Sequence, residues 1–243
     1  MLQHKNDLNG EGAGQAIAIN RLDYTAPAYW IDTVDLTFDL DPAKTRVLNK
    51  MHVRRNAAVE MQPLKLDGDE LNLSRVLVNG QGCSFKMEGN RLVLDNLPDE
   101  FDLEIFTTCA PAKNTKLMGL YVSNDSFFTQ CEAEGFRRIT YFLDRPDVMA
   151  SFTVMLRADK TAYPVLLSNG NLVEQGDLDG TGNENRHFAK WGRQHTFVAS
   201  LCAPWRLGKN RARDELTHGQ RGMGRSTLWF ELGLGALHDC GDQ

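Results

Sequence analysis

The stretch WIDTVDLTFDL, residues 30–40, decides the fold class of this chain. Val34, Leu36 and Phe38 are apolar, and the residues between them are acidic or carry a hydroxyl group. Successive side chains of a strand point to opposite faces, so this period of two predicts a strand with one buried face and one wet, acidic face.

The same pattern continues outward from this strand. Asp41-Pro42 predicts a turn into a second extended stretch, and Asn79-Gly80 predicts another tight turn. Asp67-Gly68 lies between the apolar residues of 64–66 and 71–73, which predicts a hairpin there. Short strands separated by turn residues at this spacing predict an all-β fold, an antiparallel β-sandwich or saddle domain.

Composition and charge exclude several classes of function. The net charge is −5 and the sequence pI is near 5.7. The chain therefore lacks the overall positive charge typical of proteins that bind nucleic acid, and no nucleic-acid partner is expected. No apolar run approaches the roughly 18 residues of a membrane-spanning helix, so no membrane partner is expected. Five cysteines at irregular spacing are typical of reduced thiols rather than a disulfide framework. These features predict a cytoplasmic protein.

The chain divides into three parts by composition. Residues 1–20 form a polar leader, and residues 21–191 carry the strand pattern. Residues 192–243 contain seven Lys and Arg against five Asp and Glu, and eight of the 21 glycines, with no sustained period of two or 3.6. The change at Trp191 predicts that the tail is a poorly ordered extension.

Motifs for metal or nucleophilic chemistry are missing from the sequence. The 243 residues contain no H-E-x-x-H, no C-x-x-C, no G-x-S-x-G and no phosphate-binding G-x-x-x-x-G-K-[ST]. We therefore expect no catalytic residue, no metal ligand set and no cofactor bound by this chain.

Residues 129–154 hold the densest group of charged residues. In an extended segment, Gln130, Glu132 and Glu134 would share one face because side chains alternate. A row of amide and carboxylate oxygens suits the binding of a cation such as a protonated amine. The alternative interpretation is an ordinary acidic surface, solvated or paired with arginines.

This segment resembles the end of the N-terminal domain of the M1 zinc aminopeptidases, in their bacterial aminopeptidase N branch. The residues that carry the resemblance are Gln130-Cys131-Glu132, Arg137, Arg138 and Asp144-Arg145-Pro146, and the similar stretches are 24–42, 118–154 and 166–191. Many family members have a proline where Tyr141 stands and an acidic residue where Arg145 stands. This sequence has the bacterial variant at both positions.

The resemblance implies a β-rich domain that packs against a thermolysin-like zinc catalytic domain. It also implies that Gln130 and Glu132 bind the free α-amine of a peptide substrate. The family's zinc ligands and its G-A-M-E-N substrate loop are not among these 243 residues. The expected function is therefore a truncated aminopeptidase N that is inactive alone, with residues 192–243 interpreted as a shifted reading frame or a gene truncation.

Two other functions are consistent with the sequence. The chain could be a stand-alone β-sandwich module that recognises amines or peptide N-termini without catalysis. It could instead be a regulatory piece that pairs with a separate catalytic chain. A protease-resistant tail after Trp191 would favour the binding module, and a second reading frame carrying the catalytic half would favour the partner chain.

Overall fold

The computed structural model describes residue 22, residues 24–178 and residues 185–194. The predicted polar leader of residues 1–20 lies outside the described residues. Of the predicted poorly ordered tail, residues 192–243, the structure describes only residues 192–194, which form the end of the strand Arg186–Gln194. None of the described helices is long and apolar enough to cross a membrane.

Within these ranges the chain consists of strands and two short 3₁₀ helices, Pro111–Lys113 and Phe136–Arg138. The strands are β1 (Tyr29–Asp39), β2 (Thr45–Arg55), β3 (Leu64–Asp67), β4 (Asn72–Val78), β5 (Gln81–Gly82), β6 (Lys86–Glu88), β7 (Arg91–Leu94), β8 (Glu100–Cys109), β9 (Gly119–Ser123), β10 (Ser126–Gln130), β11 (Ser151–Asp159), β12 (Asn171–Asp177) and β13 (Arg186–Gln194). The predicted all-β class is confirmed.

One eight-stranded sheet dominates the fold, in the order β12-β13-β11-β1-β2-β8-β4-β5. The predicted turns at Asp41-Pro42 and Asn79-Gly80 are confirmed, because β1 pairs antiparallel with β2 and β4 pairs antiparallel with β5. The pair β1 and β11 is parallel, which departs from a wholly antiparallel sheet. More than a hundred residues separate these two strands, so no tight turn dictates an antiparallel direction.

Two small sheets complete the fold: β3-β7-β6, and β9 paired with β10. The hairpin predicted at Asp67-Gly68 is wrong, because β3 pairs with β7 while β4 pairs with β8. The Asp67 N–H donates to the Phe142 carbonyl at 2.8 Å, so the chain is bound there by a distant segment instead of reversing onto itself. Leu64 and Leu66 are thereby buried in the core.

The core lies on the apolar face of the large sheet. Val34, Leu36 and Phe38 are almost completely buried, as the period of two predicts. Phe136 meets Phe142 and Phe152 edge-on, with ring centroids 4.9 and 5.9 Å apart. Since Phe152 belongs to β11, this aromatic cluster fixes the segment that follows the candidate amine-binding residues onto the large sheet.

Buried polar groups tie the same segment to the sheet. Asn49 of β2 donates to Thr140 Oγ1 at 3.3 Å and to the Tyr141 carbonyl at 3.4 Å. Thr107 of β8 donates from its hydroxyl group to the Ile139 carbonyl at 3.4 Å. Residues 139–141 therefore lie against the sheet, with the Ile139 and Tyr141 carbonyls and the Thr140 hydroxyl group paired, which limits the ways the preceding turn can move.

Candidate functional site

The candidate site begins at the end of the β9–β10 hairpin. Asn124 and Asp125 form its turn, both with positive φ, the conformation that a two-residue hairpin of this twist requires. Gln130 is the last residue of β10 and lies opposite Gly119 at the start of β9. A tight hairpin thus delivers Gln130 to the point where the chain leaves the sheet.

After Gln130 the chain turns sharply. The Gly135 N–H donates to the Cys131 carbonyl at 2.8 Å, and the peptide bond between Glu132 and Ala133 is cis. The prediction that Gln130, Glu132 and Glu134 form one extended row is wrong, because residues 132–135 are a turn. Gln130 and Glu132 are both exposed, on adjoining parts of the hairpin end and the turn.

Gly135 is required by this close turn. A Cβ atom at residue 135 would lie 2.7 Å from the Gln130 carbonyl oxygen and 2.9 Å from the Cys131 Cα, distances that real Cβ atoms essentially never show. The glycine therefore lets residue 135 approach the backbone of Gln130 and Cys131 closely.

The two predicted amine ligands differ from their acidic neighbour in their contacts. Within the described residues, the side chains of Gln130 and Glu132 form no hydrogen bond and no ion pair. Glu134 is paired, because its carboxylate lies 2.9 Å from Arg137 Nη2. The turn therefore presents one open carboxylate and one open amide, both acceptors for an ammonium group.

Arg137 is bound on two sides. Its backbone N–H and its Nε donate to Asp144 Oδ2 at 3.0 and 2.9 Å, and Nη2 donates to the Asp144 carbonyl at 3.0 Å. Burial disfavours the charged guanidinium, but the hydrogen bond to Asp144 and the charges of Asp144, Asp67 and Glu134 raise the pKa of Arg137. Arg137 thus stays charged and links the turn to residue 144.

Arg138 forms a second, more buried network. Its side chain is only 7% exposed and pairs with the carboxylates of Asp69 and Glu70, while Nε donates to the Met118 carbonyl at 3.3 Å. A Cβ atom at Gly119 would lie 2.6 Å from Arg138 Cβ, so the start of β9 packs directly on this arginine. Because Gly119 is the strand partner of Gln130, Arg138 packs against the end of the hairpin that carries Gln130.

Cys131, between the two predicted ligands, is not a nucleophile. Burial raises the pKa of its thiol to about 12, and the nearby carboxylates of Asp144 and Glu132 act in the same direction. A thiol with that pKa is protonated at neutral pH, and the thiolate is the reactive form. The residue therefore belongs to the packing of the turn.

Arg145 joins the chain start to the same region. Its Nε donates to Asp147 Oδ1 at 2.8 Å and its Nη2 donates to the Thr25 carbonyl at 2.8 Å. Tyr24 donates to Asp147 Oδ2 at 3.1 Å. The bacterial-type arginine at residue 145 thus has its own structural partners, separate from the candidate amine-binding residues.

A histidine on the large sheet carries a perturbed pKa as well. His52 of β2 lies 2.9 Å from Asp102 Oδ1 through Nδ1 and 3.1 Å from Glu100 Oε1 through Nε2. The hydrogen bond to Asp102 raises the pKa of His52 most, partial burial opposes the shift, and Glu100 adds to it. Both carboxylates belong to β8, so protonation of His52 strengthens the β2–β8 pair.

No zinc site is found in the part of the chain that the structure describes. Among those residues, no three His, Cys, Asp or Glu side chains lie close enough together to hold a metal ion. The described residues therefore do not fit the zinc of the M1 aminopeptidases.

Sequence reasoning missed the partners of both arginines. Asp69 and Glu70 lie 69 and 68 positions before Arg138, so no local pattern connects them. The pairing of Arg137 with Asp144 had a weak signal, because both belong to the charge-dense segment 129–154. The fold shows that the carboxylates of Asp69, Glu70 and Asp144 pair with the two arginines and stabilise the turn.

Comparison with known proteins assigns most of this chain to a known family. A sequence model of the peptidase M1 N-terminal domain matches residues 29–198. The aminopeptidase N of Escherichia coli is 50% identical over 172 residues, which cover 70% of this chain and 19% of that protein. The aminopeptidase N of Caulobacter vibrioides is 44% identical over 177 residues, covering 72% and 20%. The chain spans about a fifth of the length of these relatives.

Solved structures give the same relation. The aminopeptidase A of Legionella pneumophila, in complex with aspartic acid, has a TM-score of 0.66 at 29% identity and covers 75% of this chain and 22% of its own. An M1 zinc metallopeptidase from Deinococcus radiodurans has a TM-score of 0.58 at 16% identity, covering 73% and 43%. The second comparison supports the fold alone. The domain boundary predicted at residue 191 stays a prediction.

Proposed function

Because the chain belongs to the peptidase M1 N-terminal domain family, we propose that it supplies the α-amine anchor of an aminopeptidase. Glu132 accepts a charge-assisted hydrogen bond from the substrate ammonium, and the Gln130 amide oxygen accepts a second. The substrate class is peptides with a free N-terminus. The reaction it serves is removal of the N-terminal amino acid.

The observation that carries the proposal is the state of the turn's polar groups. Arg137, Arg138 and Glu134 are all paired, whereas the exposed Glu132 carboxylate and Gln130 amide form no hydrogen bond or ion pair with any described residue. An ammonium has three donors and no acceptor, which complements two open acceptors.

The anchor would select for chain ends. A hydrogen bond to a charged group contributes about 1.5–3 kcal/mol. A substrate with a blocked amine would leave the Glu132 carboxylate without a partner, and sites built around a polar group reject ligands that lack its counterpart. The Legionella relative was solved with aspartic acid, a molecule that carries a free α-amine, and this supports the same class of ligand.

Hydrolysis itself would come from a separate catalytic domain or chain. The described residues offer no metal site, and the 243 residues contain no H-E-x-x-H. The partner we propose is therefore a zinc-binding M1 catalytic domain, and the isolated chain is expected to be inactive. Leu117, 56% exposed and two positions before Gly119, provides apolar surface beside the anchor for such a partner.

We propose a reducing, cytoplasmic location for the protein. Cys83, Cys109 and Cys131 are free thiols in the structure, and free thiols persist where glutathione and thioredoxin keep cysteines reduced.

Binding of a small amine to the full chain tests the anchor directly. In ¹H–¹⁵N NMR titrations, L-alaninamide is expected to shift the amide signals of residues 130–135 saturably, and N-acetyl-L-alaninamide is expected to leave them in place. Glu132→Gln should weaken the L-alaninamide affinity by about tenfold, because one charge-assisted bond is lost. Glu134→Gln is the matched control, since that carboxylate is already paired. Equal shifts by both compounds would refute the anchor.

A further inference from the structure

Arg137 is a charged side chain of the same turn as Glu132. It follows Glu132 by five positions, and its neighbour Glu134 already reaches it from the same turn at 2.9 Å. An arginine side chain is long and flexible, and its guanidinium binds carboxylates in the way an ammonium does. An unrestrained Arg137 would therefore compete with a substrate amine for Glu132.

Resting on the proposed amine anchor, we propose that Asp144 is a positioning residue that holds Arg137 away from Glu132. The carboxylate of Asp144 accepts from the Arg137 backbone N–H and from Nε, and its backbone carbonyl accepts from Nη2. These bonds leave the guanidinium directed at Asp144 and Glu134. The Glu132 carboxylate stays open to the ligand for this reason.

Asp144, and not Glu134, is the residue that restrains Arg137. The Asp144 side chain is 10% exposed and makes two of its contacts with one oxygen, whereas the Glu134 side chain is 55% exposed and makes a single contact. Exposed ion pairs contribute little because water screens them. Loss of Glu134 therefore leaves Arg137 in place, and loss of the Asp144 charge releases it.

Release of Arg137 would lower the affinity for amines by a predictable factor. An ion pair between two side chains of one exposed turn is worth about 0.2–1 kcal/mol. The Arg137–Glu132 pair would block the ligand. The apparent Kd would therefore equal the intrinsic Kd divided by the fraction of molecules in which this pair is not formed. We expect the Kd for L-alaninamide to rise about two- to fivefold.

The experiment uses the full chain and NMR titration with L-alaninamide at low ionic strength. Asp144→Asn keeps an oxygen acceptor for the Arg137 N–H and removes the charge, and it should raise the Kd as stated. The double variant Asp144→Asn/Arg137→Gln should restore the wild-type Kd, because the competing cation is gone. Asp147→Asn is the matched control: it removes a carboxylate from the same loop, but one that pairs with Arg145.

The double variant separates positioning from a structural role. If Asp144 only supports the fold, adding Arg137→Gln damages the turn further and the Kd stays high or rises, which overturns the proposal. An unchanged Kd in Asp144→Asn overturns it as well. Should Asp144→Asn lose its dispersed spectrum, Arg137→Gln alone decides, since it should bind L-alaninamide at least as tightly as the wild type, and weaker binding counts against the proposal.

The same titrations keep the two proposals apart. If Glu132→Gln binds L-alaninamide as tightly as the wild type, the anchor itself is wrong. If Glu132→Gln weakens binding and Asp144→Asn does not, the anchor stands and only the role of Asp144 is refuted.

Discussion

Replacing Glu132 with alanine in a catalytically complete enzyme tests the anchor where it would act. Residues 29–191 of this chain can replace the matching segment of the Escherichia coli aminopeptidase N, which is 50% identical over 172 residues. The resulting hybrid keeps the rest of that enzyme. In this hybrid, Glu132→Ala removes the open carboxylate of the turn and leaves both arginine networks intact. The substrate would be an aminoacyl arylamide, whose cleavage is followed by absorbance.

The magnitude follows from one hydrogen bond between charged groups. Such a bond is worth about 1.5–3 kcal/mol, which corresponds to a loss of roughly 10- to 200-fold in kcat/KM. Gln130→Ala should cost less, because a neutral amide makes a weaker bond to a cation. Zinc content, measured by mass spectrometry, should equal that of the unmodified hybrid in both variants.

Glu134→Ala is the control for this prediction. Glu134 carries the same charge two positions along the turn, but its carboxylate is exposed and already paired with Arg137, so its loss should change kcat/KM by no more than about threefold. Equal losses in the Glu132 and Glu134 variants would refute the reasoning, because a diffuse acidic field would then attract the amine. Loss of zinc in the Glu132 variant would instead indicate a folding defect.

Three further predictions concern the domain itself. Gly135→Ala should lower the free energy of unfolding in urea by about 1–3 kcal/mol through overpacking, whereas Gly82→Ala, with nothing within 4 Å of its added Cβ, should not destabilise the fold; equal effects would contradict the close turn. The raised pKa of His52 contributes stability that is complete below about pH 6 and is lost as the pH rises through the folded-state pKa. As the pH rises from about 6 through that pKa, the melting temperature should fall in the wild type and should not fall in His52→Gln. Cys131, whose pKa is about 12, should react with iodoacetamide at pH 8 far more slowly in the native chain than in urea, as read by mass spectrometry, and equal rates would disprove its burial.

The sequence predicts the parts of this fold that depend on nearest neighbours. The alternation in residues 30–40 gives β1, and Asn79-Gly80 gives the β4–β5 turn, because both signals are local. The hairpin at Asp67-Gly68 fails since β3 finds a more distant partner in β7, and both become buried in the process. At this position, burial of apolar surface outweighs the local preference of Asp67-Gly68 for a tight turn.

The candidate site shows the same division. The roles of Gln130 and Glu132 come from the family resemblance of the residues around them and stay a prediction. The extended row with Glu134 is wrong, because the chain turns after Gln130. What makes that turn possible is the close approach at Gly135, a three-dimensional constraint without a sequence period. The charges that hold it come from positions as distant as Asp69, which no spacing rule connects to Arg138.

We propose that the β domain holds the geometry of the amine anchor before the ligand arrives. The turn is held by the Gly135 N–H bond to the Cys131 carbonyl and by Arg138, which pairs with Asp69 and packs on Gly119. Binding then needs little ordering of the protein, so a single open carboxylate retains most of its interaction energy for recognition of the chain end.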